Sequence, residues 1–363
     1  NAIKRAATDR DDTTVWRRNW NDSIASPTGK TVAIVGSGPA GLTATYYLSK
    51  RLGHTVTLFD EQPQLGGQLR IGIPEYRLPR KVLEDEIDVI TETRVDVKTS
   101  HRVSGLDELA SFDAVFLSMG TSRPQRLGIE GQELPAVQEC VNFLRKANLG
   151  ERKPLGKRVI VIGGGNVAID GARTARRLGA SEVTIVYRRT RAEMPAYDFE
   201  VHAAEEEGVN LVFLASPMQI IQTGKDLTLQ LQRMELGAPD QSGRRSTTAI
   251  EGDEFDMSVD NILVAIGQTV DDYSDWDIVL DDNGTIASDN DTMGTNDQRV
   301  FSGGDVVTGA VNVIEAIAAG RRAASAIDQY LGGTGDIEEV FASTGPEMRY
   351  PEHLHPEGIG IFP

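Results

Sequence analysis

The chain has 363 residues, ordinary apolar and charged fractions, and a formal net charge of −17 at pH 7. That length predicts two domains, the acidic balance argues against general nucleic-acid binding and disfavours an anionic membrane surface, and no apolar run of about 18 residues is present to span a bilayer. One cysteine, Cys140, excludes an intramolecular disulfide, a Cys-x-x-Cys redox pair and an all-cysteine iron–sulfur site within the chain; it reads as a small buried hydrophobe, in keeping with a reducing, cytoplasmic setting.

Residues 1–29 are polar and lack the apolar core of a signal peptide. They begin at Asn1 rather than Met, as in a processed chain or a piece of a longer one. The first predicted strand is "TVAIV" (31–35), a β-branched apolar run of the kind buried on both faces. Gly36-Ser37-Gly38-Pro39-Ala40-Gly41 follows, then "LTATYYLSKRL" at helical apolar spacing. In this context G-x-G-x-x-G is a dinucleotide cradle. The first glycine makes the turn, the second admits a pyrophosphate, and the third lets the helix pack on the strand. Helix N-terminal amides face the phosphates. The second strand, "TVTLF", ends at Asp60, a carboxylate placed to accept hydrogen bonds from ribose hydroxyls. Farther on, "EYRLPRK" (75–81) is a local basic spot that reads equally as an exposed helix start or as a contact for an acidic partner.

The same logic recurs at "RVIVIGGGNVAIDGARTARRLGASEVTIVYRR" (158–189). Gly163 and Gly165 take the places of Gly36 and Gly38, Ala168 that of Gly41, and Asn166 and Val167 open the helix. Tyr187 stands where Asp60 stood, and Arg188 and Arg189 follow at once. A carboxylate repels a 2′-phosphate, whereas guanidinium groups bind one through charge-assisted hydrogen bonds. The second cradle is therefore expected to prefer NADP(H), with Arg191 as a further phosphate contact, and the first to take a dinucleotide with a free ribose. Two nicotinamides side by side have no useful chemistry to share. A flavin beside a nicotinamide can exchange hydride with it.

"DEQPQLGGQLRIGIPEYRLPRKVLEDEID" (60–88), "YRRTRAEMPA" (187–196), "RMELGAPDQSGRR" (233–245), "VAIGQ" (264–268) and "FSGGDVVTGAVNVIEAIAAGRRAASAID" (301–328) stand in one collinear order. Together they resemble the small subunits of NADPH-dependent glutamate synthase and the flavin domain of dihydropyrimidine dehydrogenase-like iron–sulfur flavoproteins. The resemblance runs over roughly residues 27–333. It implies an α/β fold of two Rossmann-like domains, in which 30–127 and 268–333 form the FAD domain and 128–267 the NADPH domain inserted in it. It also implies an N-terminal arm, 1–29, that ends a missing cluster domain, and a tail or linker at 334–363.

The resemblance further implies FAD contacts at Glu61, Gly67, Gln68, Leu69 and Arg77, and at Gly304 and Asp305 near the ribityl and phosphate region. The amides of Asn312, Val313 and Ile314 would open a helix toward the pyrimidine edge of the flavin, and Ala265, Ile266 and Gly267 would lie beside the nicotinamide nucleotide. Glu315 reads as structural. Hydride transfer between the rings needs no side-chain acid or base, so no catalytic residue is expected. No metal is expected either, since His353 and His355 lack companion ligands. Iron–sulfur clusters would reside in the missing domain or in a partner, and a larger catalytic subunit such as that of glutamate synthase would receive the electrons. Other readings are a disulfide reductase-like flavoprotein, which the missing cysteine pair opposes, a flavin monooxygenase or amine oxidase, and a non-catalytic scaffold subunit.

Overall fold

The computed structural model describes residues 24–239 and 243–338. The expected end of a cluster domain therefore falls outside the described residues up to position 23, and His353, His355 and most of the tail lie outside them as well. Two five-stranded parallel sheets organise the chain.

The first sheet holds β1 (Thr31–Val35), β2 (Thr55–Phe59), β3 (Val95–Lys98), β4 (Ala114–Leu117) and, from far along the chain, β15 (Val300–Ser302). Its order is β15-β4-β1-β2-β3, with Val32 opposite Val56 on one side and Ala114 on the other. β1 is apolar from Val32 to Val35 because both of its faces are covered. Val32 and Ile34 pack with Leu42, Ala44 and Ala319, while Ala33 and Val35 pack with Val270, Tyr273 and Trp276. α1 (Pro39–Tyr46) and the terminal helix α8 (Val313–Tyr330) cross tightly over the first of these faces. A methyl group at Gly320 of α8 would collide with the Ala40 carbonyl oxygen.

The second sheet contains β6 (Val137–Glu139), β7 (Arg158–Ile162), β8 (Glu182–Tyr187), β9 (Val209–Phe213) and β13 (Asn261–Val264), in the order β6-β13-β7-β8-β9. Val159 and Val161 pack beneath α4 (Cys140–Asn148), α5 (Asn166–Arg177) and α6 (Asp198–Glu206). Ile160 and Ile162 turn to the other side, onto Leu229 and Leu231. Those leucines belong to a three-stranded antiparallel sheet of β10 (Ala215–Thr223), β11 (Asp226–Pro239) and β12 (Arg245–Val259). Nothing in the motifs of the sequence foretold this covering layer. Cys140 is fully buried.

The second sheet is inserted between β4 and β15 of the first. The outgoing and returning connections pair as a short antiparallel ribbon, β5 (Arg123–Pro124) with β14 (Gln268–Thr269). The arm and tail residues that are described also join the first unit: Thr28 Oγ1 lies 2.8 Å from His54 Nδ1, and His54 Nε2 lies 2.9 Å from Asp328 Oδ1. Asp328 Oδ2 in turn accepts from the Gly335 amide at 2.7 Å. Among the described residues, no helix is long and apolar enough to cross a membrane.

Candidate functional site

In each sheet the central strand that begins the cradle, β1 or β7, lies where the order reverses, and the turn after its carboxyl end is the place where such folds bind ligands. At the first turn Gly36 adopts φ +97°, and a Cβ there would lie 2.5 Å from the Ser118 carbonyl oxygen. A Cβ on Gly41 would collide with the Gly36 carbonyl. Gly38 differs: a Cβ there meets no atom within 4 Å. Gly38 is also the N-cap of α1, Pro39 opens the helix, and no side chain caps it. The first-turn amides of Ala40 and Gly41 thus have no side-chain cap and have room before them at Gly38, as an anion site requires.

"GGQL" (66–69) lies over this turn. The Gly66 amide donates to the Ser37 hydroxyl oxygen at 3.0 Å, and a Cβ on Gly67 would sit 2.7 Å from Gly38 Cα. Gln68 and Leu69 then begin the one-turn helix α2 (Gln68–Ile71). Asp60 is buried at the end of β2, and its carboxylate turns back onto the cradle. Oδ2 accepts from the Ser37 amide at 2.9 Å and from the Ser37 hydroxyl; Oδ1 accepts from the Gln62 amide at 2.8 Å. Ser37, which occupies a variable position of the motif, is the partner that sequence reasoning missed. Glu61 points outward and pairs with Arg102 at 2.9 Å.

β15 brings a third turn to the same edge. Gly303 donates to the Leu117 carbonyl at 3.1 Å, and Gly304 sits against Ala40, its would-be Cβ 3.1 Å from the Ala40 Cβ. Asp305 starts α7 (Asp305–Thr308); burial raises its pKa, while a hydrogen bond from the Val311 amide pulls the other way. Asn312 caps α8, its Oδ1 accepting from the Glu315 amide at 3.0 Å. The amides of Val313 and Ile314 remain first-turn donors of an 18-residue helix. Beside them Val311 is 57% exposed and Ile314 76%, a large apolar surface beside a polar helix end.

At the second turn Gly163 has φ +145°, and a Cβ there would collide with the Ala265 carbonyl. Ala265 therefore lies directly behind this cradle, with Ile266 and Gly267 continuing along its rim into the ribbon. Gly165 caps α5 with no side-chain cap. Asn166 Oδ1 accepts from the Tyr197 amide at 3.1 Å, drawing the segment after β8 over the start of α5 beside the partly exposed Val167. Tyr187, at the position corresponding to Asp60, lies flat against the loop: a Cβ on Gly164 would be 2.5 Å from its ring.

The three arginines expected at a 2′-phosphate part company. Arg188 is exposed and has no ion-pair partner among the described residues. Arg189 is only 4% exposed, and its Nε donates to the Arg245 carbonyl at 2.5 Å, tying β8 to the antiparallel layer. Arg191 is partly exposed and pairs with α6: its Nη1 meets both oxygens of Glu205 at 2.8 Å and its Nε meets Asp198 at 3.3 Å. Arg77 also departs from its expected place. It leaves the first cradle for the second unit, with Nη1 2.6 Å from Asp170 Oδ2 and Nε 3.0 Å from Glu200 Oε1.

Residues 30–324 match the family model described as pyridine nucleotide-disulphide oxidoreductase. The chain is 45% identical over 323 residues to the NADP(+)-dependent formate dehydrogenase subunit beta of Moorella thermoacetica, covering 85% of this chain and 45% of that one. It is 36% identical over 340 residues to the glutamate synthase [NADPH] small chain of Escherichia coli strain K12, covering 87% and 71%. Against the first of these, and against a Geobacter NADPH-Fe(3+) oxidoreductase subunit beta, the chain spans about half of the relative's length. Among solved structures, Mycobacterium tuberculosis FprA in complex with NADPH superposes with a TM-score of 0.69 at 21% identity over 84% of both chains, a likeness of fold.

Proposed function

Because the chain belongs to the pyridine nucleotide-disulphide oxidoreductase family and is related along most of its length to glutamate synthase small chains, we propose that it is the FAD- and NADPH-binding part of an oxidoreductase that passes electrons to a partner. On this reading 30–127 with 268–333 hold FAD, and the inserted 128–267 holds NADPH. The observation that carries it is the pair of uncapped, glycine-turned helix starts, one backed by Asp60 and the other flanked by the exposed Arg188.

The first cradle fits FAD. Gly38 leaves the room that Gly36 and Gly41 lack, so a diphosphate can approach the Ala40 and Gly41 amides. Asp60 spends three of its roughly four acceptor directions on Ser37 and Gln62. It thereby holds the loop and keeps about one direction for a ribose hydroxyl. Gly304 and Asp305 flank the same edge. The Val313 and Ile314 amides present partial positive charge toward the flavin's pyrimidine edge, with apolar Val311 and Ile314 beside them. The second cradle fits NADPH through Gly163, Gly165, Asn166 and Val167, with Arg188 as the cation for the 2′-phosphate and Ala265, Ile266 and Gly267 along the nicotinamide side.

When bound, the two cofactors supply the redox chemistry, a hydride passing between nicotinamide and flavin. The chain supplies proximity and fixed dipoles. The named relatives are a formate dehydrogenase subunit beta, an NADPH-Fe(3+) oxidoreductase subunit beta and a glutamate synthase small chain. Those names support a partner subunit; iron–sulfur clusters, there or in a further domain, rest on the resemblance to iron–sulfur flavoproteins alone. The test is to record the visible spectrum of the purified chain, then add NADPH or NADH without oxygen. Flavin bands that bleach with NADPH support the reading. Failure to take up FAD, or bleaching by NADH alone, overturns it.

A further inference from the structure

The basic segment at 75–81 divides: Arg80 holds to the first unit, its Nη1 donating to the Leu69 carbonyl at 3.0 Å. The segment's first residues, on the loop between α2 and α3 (Arg80–Thr91), cross to the second unit instead. Arg77 bridges Asp170 of α5 and Glu200 of α6. The Tyr76 ring lies beneath two guanidinium groups of α5, 4.7 Å from Arg173 and 3.9 Å from Arg177. Those arginines are held in place by Glu207, at 2.8 and 2.6 Å, and Arg173 also meets Glu200 at 2.8 Å. Alongside, Asn148 donates to the Ile71 carbonyl at 2.9 Å.

The covalent connection between the units is slight by contrast. It consists of the two strands of the β5–β14 ribbon, where the Gln125 amide donates to the Gly267 carbonyl at 3.0 Å. Gly267 follows Ala265, the residue packed behind the second glycine turn, so a twist of the ribbon moves the second cradle relative to the first. A guanidinium shared by carboxylates on two different helices tolerates little such movement, because its hydrogen bonds weaken steeply with displacement and misalignment. The contact is charged rather than apolar, as in interfaces that open. It also leaves Tyr76 Oη and Asp170 Oδ1 buried without a protein hydrogen-bond partner, which lowers the cost of separation.

We propose that Tyr76 and Arg77 are positioning residues, a latch that fixes the rotation of the second cradle about the β5–β14 ribbon and so sets the approach of the two nucleotides. The kinetic half of this inference rests on the two-cofactor reading above; the structural half does not.

The test compares wild type, Arg77→Gln and Arg77→Lys as full chains loaded with FAD. Measurements are the anaerobic rate of flavin bleaching at saturating NADPH, the NADPH Kd, FAD content, the melting temperature and amide hydrogen exchange. For Arg77→Gln the latch requires bleaching slowed roughly tenfold or more, with Kd and FAD content within about twofold and a single cooperative thermal transition retained. It also requires faster exchange at 72–79, with unchanged exchange in β1 and β7, and partial recovery in Arg77→Lys. Loss of FAD, or an NADPH Kd raised about tenfold with an unchanged bleaching rate, makes Arg77 a cofactor contact and overturns the latch. So does the absence of any change. Should Arg77→Gln fail to fold, Asp170→Asn is read by the same criteria. Should wild type itself not bleach with NADPH, the two-cofactor reading has failed. Exchange and small-angle scattering then decide the latch alone, and identical profiles for wild type and Arg77→Gln overturn it.

Discussion

Arg77 Nη1 and Asp170 Oδ2 meet at 2.6 Å across 93 positions of sequence, one from each unit. Burial pushes the pKa of Asp170 up to about 6, against the pull of Arg77. The groups that face it are Arg77, Glu200, Arg173, Tyr76 and Cys140. Protonation below about pH 6 removes the charge from one side of the latch. Flavin reduction by NADPH is therefore expected to slow as pH falls through about 6 with FAD retained, and Asp170→Asn to show the slow rate throughout. A pH-independent wild-type rate between 5 and 8, measured by stopped flow, would count against this.

Stability runs the opposite way. The folded pKa lies above the ordinary Asp value near 3.9, so the folded state holds the proton more tightly than the unfolded one. The stabilisation from this proton is complete below about pH 4 and is lost as pH rises through about 6. Asp170→Asn is thus expected to raise stability at pH 8 by roughly 1–3 kcal/mol, since Arg77 keeps Glu200. Chemical denaturation at pH 4 and pH 8 checks it, and the gain should shrink at the lower pH.

The glycines of the first cradle separate folding from binding. Gly41→Ala drives a methyl into the Gly36 carbonyl and should cost about 2 kcal/mol or more in the FAD-free chain. Gly38→Ala meets no protein atom. Its thermal midpoint without FAD should stay within about 2 °C of wild type, while FAD retention after gel filtration falls sharply.

At Asp60, Asp60→Ala strands the Ser37 and Gln62 amides that its carboxylate now accepts. The expected loss is about 1–3 kcal/mol without FAD, by equilibrium denaturation, accompanied by weaker FAD binding. Asp60→Asn keeps a carbonyl acceptor and should lose less of both.

The arginines after β8 should differ as their exposure does. Arg188→Ala is expected to weaken NADPH binding by about tenfold or more, NADH by less than about twofold, and to leave the melting temperature unchanged. Arg191→Ala should leave the NADPH/NADH ratio near wild type, its charge being matched by Glu205 and Asp198. Titration of the FAD-loaded oxidised chain with each nucleotide reads the difference. Equal effects at Arg188 and Arg191 would remove the assignment.

Sequence by itself determined the two glycine turns, the apolar strands before them and the acid or arginines after them. These are local matters: a φ that only glycine adopts comfortably, a strand run apolar at successive positions because both faces are covered, and a helix start whose amides face outward. Gly36, Gly163 and the run Val32–Val35 carry that information within a few residues of themselves. Tertiary structure alone decided which cation stays exposed, because Arg189 is claimed by a carbonyl 56 positions later in the chain and Arg191 by a neighbouring helix. It alone sent Arg77 to Asp170 and Glu200, and laid the three-stranded sheet of Leu229 and Leu231 over Ile160 and Ile162. A side chain's partner is settled by competition among all groups the fold brings within reach, and that set does not exist until the chain has closed.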